Sequence, residues 1–182
     1  MDIALLTLRV LIGALLVGHG VQKLFGWFGG HGLNGTAGFF DSLGFRPGRR
    51  MAAVAGASEV GGGLLLAAGL FTPLAAAAVV GTLLVAASVH LDKGLWNTGG
   101  GYELPLVYAL VGAFFALGGP GPVSLDHLVG LDDHWSIGVG AIAIAVGLLS
   151  GSVVIGRARR ALARDAAPST APDAAGRTTA AA

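Results

Sequence analysis

The fold is decided by the stretch Leu11–Phe40, LIGALLVGHGVQKLFGWFGGHGLNGTAGFF, which begins as an apolar helix and ends in glycines and aromatic residues. His19, Gln22 and Lys23 are spaced i, i+3 and i+4, so one helical face carries three polar groups. At 100° per residue, Arg9 falls within roughly 80° of His19 and 40° of Lys23. Polar groups are costly in lipid and turn inward, so other parts of the chain must supply their partners.

The composition is that of a polytopic membrane protein. Only 12% of the 182 residues are charged and 54% are hydrophobic, whereas a soluble domain carries about 25% charge. The 32 glycines suit membrane helices, whose backbones approach closely. A net charge of +1, without a basic patch among aromatic residues, gives no indication of a nucleic-acid partner. The absence of cysteine excludes disulfides, a thiolate nucleophile and Cys-ligated metals in this chain.

The hydropathy pattern predicts an all-α fold with five transmembrane helices. The N-terminal run has no basic n-region or convincing cleavage site and is expected to be retained. A short interfacial helix, 37–43, is expected between the first two spans, capped by Thr36. After helix 5 we expect a basic and then disordered tail, 157–182. The predicted spans are about 3–25, 51–71, 74–91, 102–117 and 136–155.

The distribution of basic residues predicts a plasma-membrane protein with its N-terminus outside and its C-terminus inside. The arginines after helix 5 are expected in the cytoplasm, and counting back places the 26–50 and 92–101 loops there too. The acidic 118–135 loop is then outside. The basic residues placed on the inner side are Lys23, Arg46, Arg49, Arg50 and Lys93.

Glu59 is the expected partner of the first-helix stripe. It shares a helical face with Ala55, Gly56, Gly62 and Gly63, which leaves a groove where another helix can pack closely. His19 and Glu59 are expected within roughly 3 Å of the same depth. We therefore expect one inward-facing cluster near the cytoplasm, with Arg9 towards the other face, paired with Asp126 if the Pro/Gly loop folds back. The members of the cluster are His19, Gln22, Lys23, Glu59, His90 and Glu103.

Two interpretations of this cluster are open. It is either a set of structural ion pairs that fix helix register, or a proton- or quinone-handling site in which His19 and Glu59 titrate near neutrality. His31, His127 and His134 lie in predicted loops and are expected to be solvated. Trp27, Trp96 and Trp135 are expected to anchor the chain at the interface, although one of them stacking on a ligand stays an alternative. No H-E-x-x-H or cysteine pattern supports a metal site.

These residues resemble the DoxX family of small bacterial membrane proteins over about residues 3–130. The resemblance begins with Arg9 and the run His19–Leu24 and continues through Glu59 and the run 61–65. It ends before helix 5, which is expected to be an addition at 131–156. The other segments that carry it are Gly35-Thr36, Phe39-Phe40, Gly44-Phe45, Pro47, 69–73, His90, Gly94, 102–104, 119–121 and 124–126.

The resemblance implies a four-helix membrane domain, and for some relatives a role in quinone-coupled oxidation of sulfur compounds or in protection against oxidative stress. The first hypothesis is therefore a membrane subunit of a quinone-linked or oxidative-stress-related redox complex. His19 and Glu59 would bind the quinone and pass protons, Lys23 would offset negative charge, and a partner protein would supply electrons. The alternative is a non-catalytic scaffold or small-molecule carrier whose buried charges set packing and partner docking.

Overall fold

A computed structural model of the chain describes residues 2–167, and it is helical throughout, with no strand in that range. Three turns of 3-10 helix and short loops join the longer elements in the second half of the chain. The prediction of an all-α fold is confirmed. The α-helices are α1 Asp2–Phe25, α2 Gly32–Ser42, α3 Gly48–Ala68, α4 Thr72–Ser88, α5 Glu103–Gly118, α6 Leu125–Leu128 and α7 Ile137–Asp165.

Helices α1 and α3 pack antiparallel through glycines seven residues apart on each helix. A Cβ on Gly13 would lie 2.5 Å from the Gly63 carbonyl oxygen, and one on Gly20 would lie 2.7 Å from that of Gly56. Side chains are absent where the backbones touch, which is the arrangement that small residues permit in membrane helices. The sequence predicted this groove beside Glu59, and α1 is the helix that fills it.

Helix α4 packs against α3 on one side and against α5 and α7 on the other. Gly147 and Gly151 of α7 lie against α4, where a Cβ on Gly151 would be 2.8 Å from the Gly81 carbonyl oxygen. The predicted fifth helix is therefore an integral wall of the bundle. The buried core that joins these helices contains Leu16, Leu66, Ala75, Val79, Leu83, Tyr108 and Phe115.

Among the described residues, three helices are long and apolar enough to cross a membrane, namely α1, α3 and α7. Helices α4 and α5 are equally apolar but shorter, with 17 and 16 residues, or roughly 25 Å of rise each. All five run across the same bundle. The four helices α1, α3, α4 and α5 with α7 beside them are the predicted four-helix membrane bundle with an additional helix.

Two of the predicted boundaries differ from the structure by five residues or more. Helix α2 begins at Gly32, five residues before the expected start, and Thr36 is buried inside it, where its hydroxyl donates to the Lys23 carbonyl oxygen at 3.4 Å. Helix α7 continues to Asp165, ten residues past its expected end. The Arg- and Ala-rich sequence favours helix, and Ala158 is buried against Gly44 in the loop between α2 and α3.

The extension of α7 is also held by an exposed ion pair, with 2.7 Å between Arg46 Nη2 and Asp165 Oδ2. This hydrogen bond raises the pKa of Arg46, which lies in the α2–α3 loop. The basic segment 157–164, expected as the start of a tail, is thus an ordered helix. The predicted disorder of the tail falls mainly on residues 168–182, which lie outside the described residues.

Candidate functional site

The chemistry of the bundle centres on an ion pair between α1 and α3. Lys23 Nζ donates to both carboxylate oxygens of Glu59, at 2.7 Å to Oε1 and 2.6 Å to Oε2. Glu59 is 3% exposed and Lys23 26% exposed, so the carboxylate is buried and the ammonium group reaches it from the edge of the bundle. A buried charge needs such a partner, because an unpaired carboxylate in an apolar interior loses its hydration without compensation.

The ion pair forms part of the wall of a cavity of about 360 Å³, enclosed by α2, α3, α4 and α7. This volume falls within the range of sites that bind small organic molecules. Aromatic rings of Phe39, Phe40 and Phe45 line one side, and the last two have centroids 5.6 Å apart. Most of the remaining lining is aliphatic. The polar residues in the wall are Lys23, Ser58, Glu59, Thr82, His90 and Ser150.

His90, which follows α4, lines the cavity and also carries a polar atom without a hydrogen-bond partner among residues 2–167. Its Nδ1 is buried and has no hydrogen-bond partner within the described residues. A buried nitrogen without a partner costs roughly 1–3 kcal/mol, and a ligand or water that hydrogen-bonds to it recovers part of that free energy. His90 was predicted to join the cluster near Glu59, and the structure places both residues in the same cavity wall.

His19 and Gln22 lie on α1 beside the ion pair but do not line the cavity. His19 Nδ1 is 3.2 Å from Gln22 Oε1, and its ring packs against Tyr108 with 5.9 Å between centroids. Gln22 Nε2 also donates to the Phe28 carbonyl oxygen at 3.3 Å. Within residues 2–167 the carboxylate of Glu59 is hydrogen-bonded to Lys23, and no hydrogen bond joins it to His19, the cluster member expected at a similar depth.

Glu103 does not line the cavity either, although it was predicted to converge with the others. Its Oε2 accepts a hydrogen bond from the Asn97 backbone N–H at 2.9 Å, across the loop between α4 and α5. A carboxylate in the first turn of a helix also interacts favourably with the N-terminal end of the helix dipole. Its contacts are those of a residue that orders a loop.

Arg9 lies at the opposite end of the bundle and is 1% exposed. Its guanidinium donates to three backbone carbonyl oxygens: Ala67 at 3.2 Å, Val123 at 2.6 Å, and Pro120. Gly69, with φ +61°, passes close to the guanidinium, since a Cβ there would lie 2.6 Å from Arg9 Cζ. The 119–136 loop does fold back onto the bundle, but the expected ion pair between Arg9 and Asp126 is not among the contacts of residues 2–167.

Asp126 instead caps the start of α4. Its Oδ1 accepts from the Phe71 N–H at 2.8 Å, and its Oδ2 accepts from the N–H and hydroxyl of Thr72, at 2.9 and 2.7 Å. Trp135 Nε1 also donates to Oδ2 at 2.9 Å. Asp126 is completely buried, so this single carboxylate holds the 119–136 loop, the start of α4 and Trp135 just before α7 together.

The remaining histidines and tryptophans lie at the periphery. His31 and His134 are exposed, and His127 is more than half exposed and lies 2.7 Å from Asp132 through Nδ1 and Oδ2. Trp27 and Trp96 are exposed, which fits the interfacial positions expected for them. Across residues 2–167, no group of three His, Cys, Asp or Glu side chains lies close enough to hold a metal ion.

The cavity wall also contains residues that the sequence did not single out. Thr82 and Ser150 are hydroxyl residues in apolar helices, and nothing in a single sequence distinguishes them from ordinary membrane-helix residues. Phe40 and Phe45, which flank the end of α2, were named only as part of the family resemblance and not as site residues. Only the packing of α7 on α4 and of α2 on α3 brings them into one wall.

A helical bundle of this kind, apolar outside and with a buried ion pair beside a largely apolar cavity, belongs to the class of integral membrane proteins. Residues 4–91 match the model of the DoxX family, and over these residues the chain is similar to the membrane proteins of that family. The match covers α1 to α4, with the Lys23–Glu59 pair and His90, and ends before α5. No curated protein and no solved structure matches the chain.

Proposed function

We propose that the chain is the membrane subunit of a quinone-linked or oxidative-stress-related redox complex, and that the cavity holds the quinone head group. The observation that carries the proposal is the buried, unpartnered His90 Nδ1 in the same wall as Glu59. A quinone has an apolar ring, carbonyl oxygens that accept hydrogen bonds and a hydrocarbon tail. The cavity offers matching apolar and aromatic walls, an imidazole nitrogen and an ammonium group.

In this proposal the chain's own residues bind the quinone and move protons. Reduction of a quinone to a quinol consumes two electrons and two protons, and the electrons come from a redox partner protein. Lys23 and the imidazole of His90 donate hydrogen bonds to the quinone oxygens, where negative charge develops as electrons arrive. The carboxylate of Glu59, held by Lys23, takes up a proton from the aqueous phase and passes it to the reduced quinone, and it does so twice for each quinol formed.

Turnover of the complex with its native partners tests the proposal. Glu59→Gln keeps the shape of the side chain but removes its titratable proton, so quinone reduction is expected to fall at least tenfold. Asp133→Asn, a change in the exposed outer loop, is the matched control and is expected to leave the rate unchanged. Equal rates for the wild type and Glu59→Gln would remove the proposal.

A binding measurement tests the contact of His90 with the quinone without requiring turnover of the complex. Titration of the purified chain with a water-soluble quinone analogue is expected to give a dissociation constant several-fold higher for His90→Gln than for the wild type. His134→Gln makes the same change at an exposed histidine and is expected to bind like the wild type. If His90→Gln and His134→Gln bind equally well, the analogue does not occupy this cavity.

One observation favours the alternative of a non-catalytic scaffold or small-molecule carrier. Both oxygens of Glu59 are already bonded to Lys23, and the contacts of Gly20 with Gly56 and of Gly13 with Gly63 flank the pair, so it can serve purely to join α1 and α3. In that case Glu59→Gln lowers thermal stability or partner capture without any specific loss of redox activity. Normal stability with lost redox activity would reject the scaffold.

A further inference from the structure

Helix α7 is longer than a membrane span requires. Its 29 residues rise roughly 43 Å, which matches the hydrocarbon core together with both headgroup layers, whereas the core alone is about 30 Å thick. The last two turns therefore lie at the depth of the lipid headgroups on the side where α7 ends. The contact of Ala158 with Gly44 and the Arg46–Asp165 ion pair keep these turns in place.

Two opposite faces of α7 can be distinguished along its whole length. Gly140, Gly147, Gly151 and Ala158 are buried, and they lie within about 40° of each other around the helix. The opposite face carries large apolar side chains whose exposed fractions lie between 53% and 67%. Since these side chains lie in the membrane-spanning part, this face is the one that contacts lipid tails. Its members are Ile142, Val146, Leu149 and Val153.

The lipid-facing side continues directly into three arginines. At 100° per residue, Arg157, Arg160 and Arg164 lie within about 60° of each other and in line with Val153. All three are exposed, and within residues 2–167 none of them forms an ion pair or side-chain hydrogen bond. The only acidic residue in these turns, Asp165, is bonded to Arg46. We call Arg157, Arg160 and Arg164 the arginine face.

We propose that the arginine face binds the phosphate groups of anionic phospholipids whose acyl chains lie against Ile142, Val146, Leu149 and Val153. Arg157 lies about 6 Å along the helix axis from Val153. This distance carries the helix surface from the depth of the acyl chains to the depth of the headgroups. Guanidinium groups bind phosphate through paired N–H donors. Arg49 and Arg50, exposed near the start of α3, add positive charge at the same end of the bundle. This proposal is independent of the proposed redox function.

The relative affinity of spin-labelled lipids for the purified full-length chain in phosphatidylcholine bilayers tests the proposal. The wild type is expected to bind phosphatidylglycerol several-fold more strongly than phosphatidylcholine. Each arginine contributes at most about fivefold, so the triple variant Arg157→Gln/Arg160→Gln/Arg164→Gln is expected to lose most of the preference. Equal binding of the two lipids by the wild type would overturn the proposal.

Two single variants distinguish lipid binding at the arginine face from a general effect of positive charge on α7. Arg160→Gln and Arg159→Gln remove the same charge from neighbouring residues, but Arg159 lies about 100° away from Arg160 around the helix. We expect Arg160→Gln to reduce the preference and Arg159→Gln to leave it nearly unchanged. Equal reductions would overturn the proposal. So would loss of the preference when inorganic phosphate replaces chloride at constant ionic strength, because the site would then bind free anions.

Discussion

Glu59 shows how one buried charge depends on one partner. Both of its oxygens accept from the ammonium group of Lys23, and no other hydrogen bond to them is formed within residues 2–167. Removing one partner of a buried pair leaves an uncompensated charge, whereas replacing both by apolar groups is often nearly neutral. Comparing the single and the double substitution therefore shows whether this ion pair stabilises the fold or whether an apolar pair would do so equally well.

The first prediction concerns this pair. Lys23→Met is expected to destabilise the protein by about 3–5 kcal/mol, because the Glu59 carboxylate stays buried without its cation. The double variant Lys23→Met/Glu59→Leu is expected to recover most of that free energy. Reversible unfolding in detergent micelles measures both. A double variant no more stable than the single one would show that the pair is not the dominant interaction of either side chain.

The second prediction concerns Asp126 at the other end of the bundle. Asp126→Ala leaves the N–H groups of Phe71 and Thr72 without their acceptor and frees the 119–136 loop, so we expect a loss of roughly 3 kcal/mol of stability. Limited proteolysis is expected to cut this loop faster. Asp133→Ala, in the same loop but exposed, is the control and is expected to behave like the wild type.

The sequence predicted which polar residues turn inward, but it did not predict how they pair. Helical periodicity gives a direction and a depth for each residue, and by these measures His19 is as suitable a partner for Glu59 as Lys23 is. Lys23 forms the bond because its long side chain reaches the carboxylate from the edge of the bundle, while His19 packs on Tyr108 of α5. Arg9 likewise finds backbone carbonyls, whose positions depend on the folded loop.

The packing of α1 on α3 depends on four glycines rather than on interlocking side chains. The pairs Gly13–Gly63 and Gly20–Gly56 bring the two backbones together, and this close approach is what lets Lys23 reach Glu59. The spacing of seven residues on both helices is visible in the sequence. Which helix fills the groove beside Glu59 is not, because α4 and α5 also carry small residues.

The third prediction tests this interface. Gly13→Ala places a Cβ 2.5 Å from the Gly63 carbonyl oxygen and 2.8 Å from the Ala67 Cβ, so α1 and α3 must separate. We expect a loss of about 1–3 kcal/mol in unfolding free energy. Gly18→Ala, on the same helix with nothing within 4 Å, is the matched control and is expected to be neutral or slightly stabilising. Equal destabilisation by both variants would contradict the packing described for α1.

Helix α7 lies outside the residues that match the DoxX family and yet contributes Ser150, Gly151 and Val154 to the cavity wall. Sequence periodicity predicted the helix and its GxxxG spacing but ended it at residue 155, because charged residues usually mark the end of a span. The contact between Ala158 and Gly44, which are 114 residues apart, stabilises the helical conformation beyond residue 155. Such a contact is known only once the chain has folded.

The five long helices place the basic residues at one end of the bundle and the Arg9–Asp126 region at the other. The fourth prediction follows from this asymmetry: the basic end faces the cytoplasm, so the N-terminus is outside and the C-terminus inside. A fluorescent protein fused to the C-terminus is expected to fluoresce, and an alkaline phosphatase fused there is expected to be inactive. Active phosphatase at the C-terminus would reverse the orientation.

Because the protein has no cysteine, a photoreactive quinone analogue can be mapped without interference from thiols, and this mapping tests the proposed ligand site most directly. Labelling is expected on cavity-lining peptides of α3, α4 and α7, to be prevented by excess quinone, and to fall in His90→Gln but not in His134→Gln. Labelling confined to the exposed lipid-facing surfaces and unchanged in His90→Gln would contradict the proposal that this cavity binds a quinone.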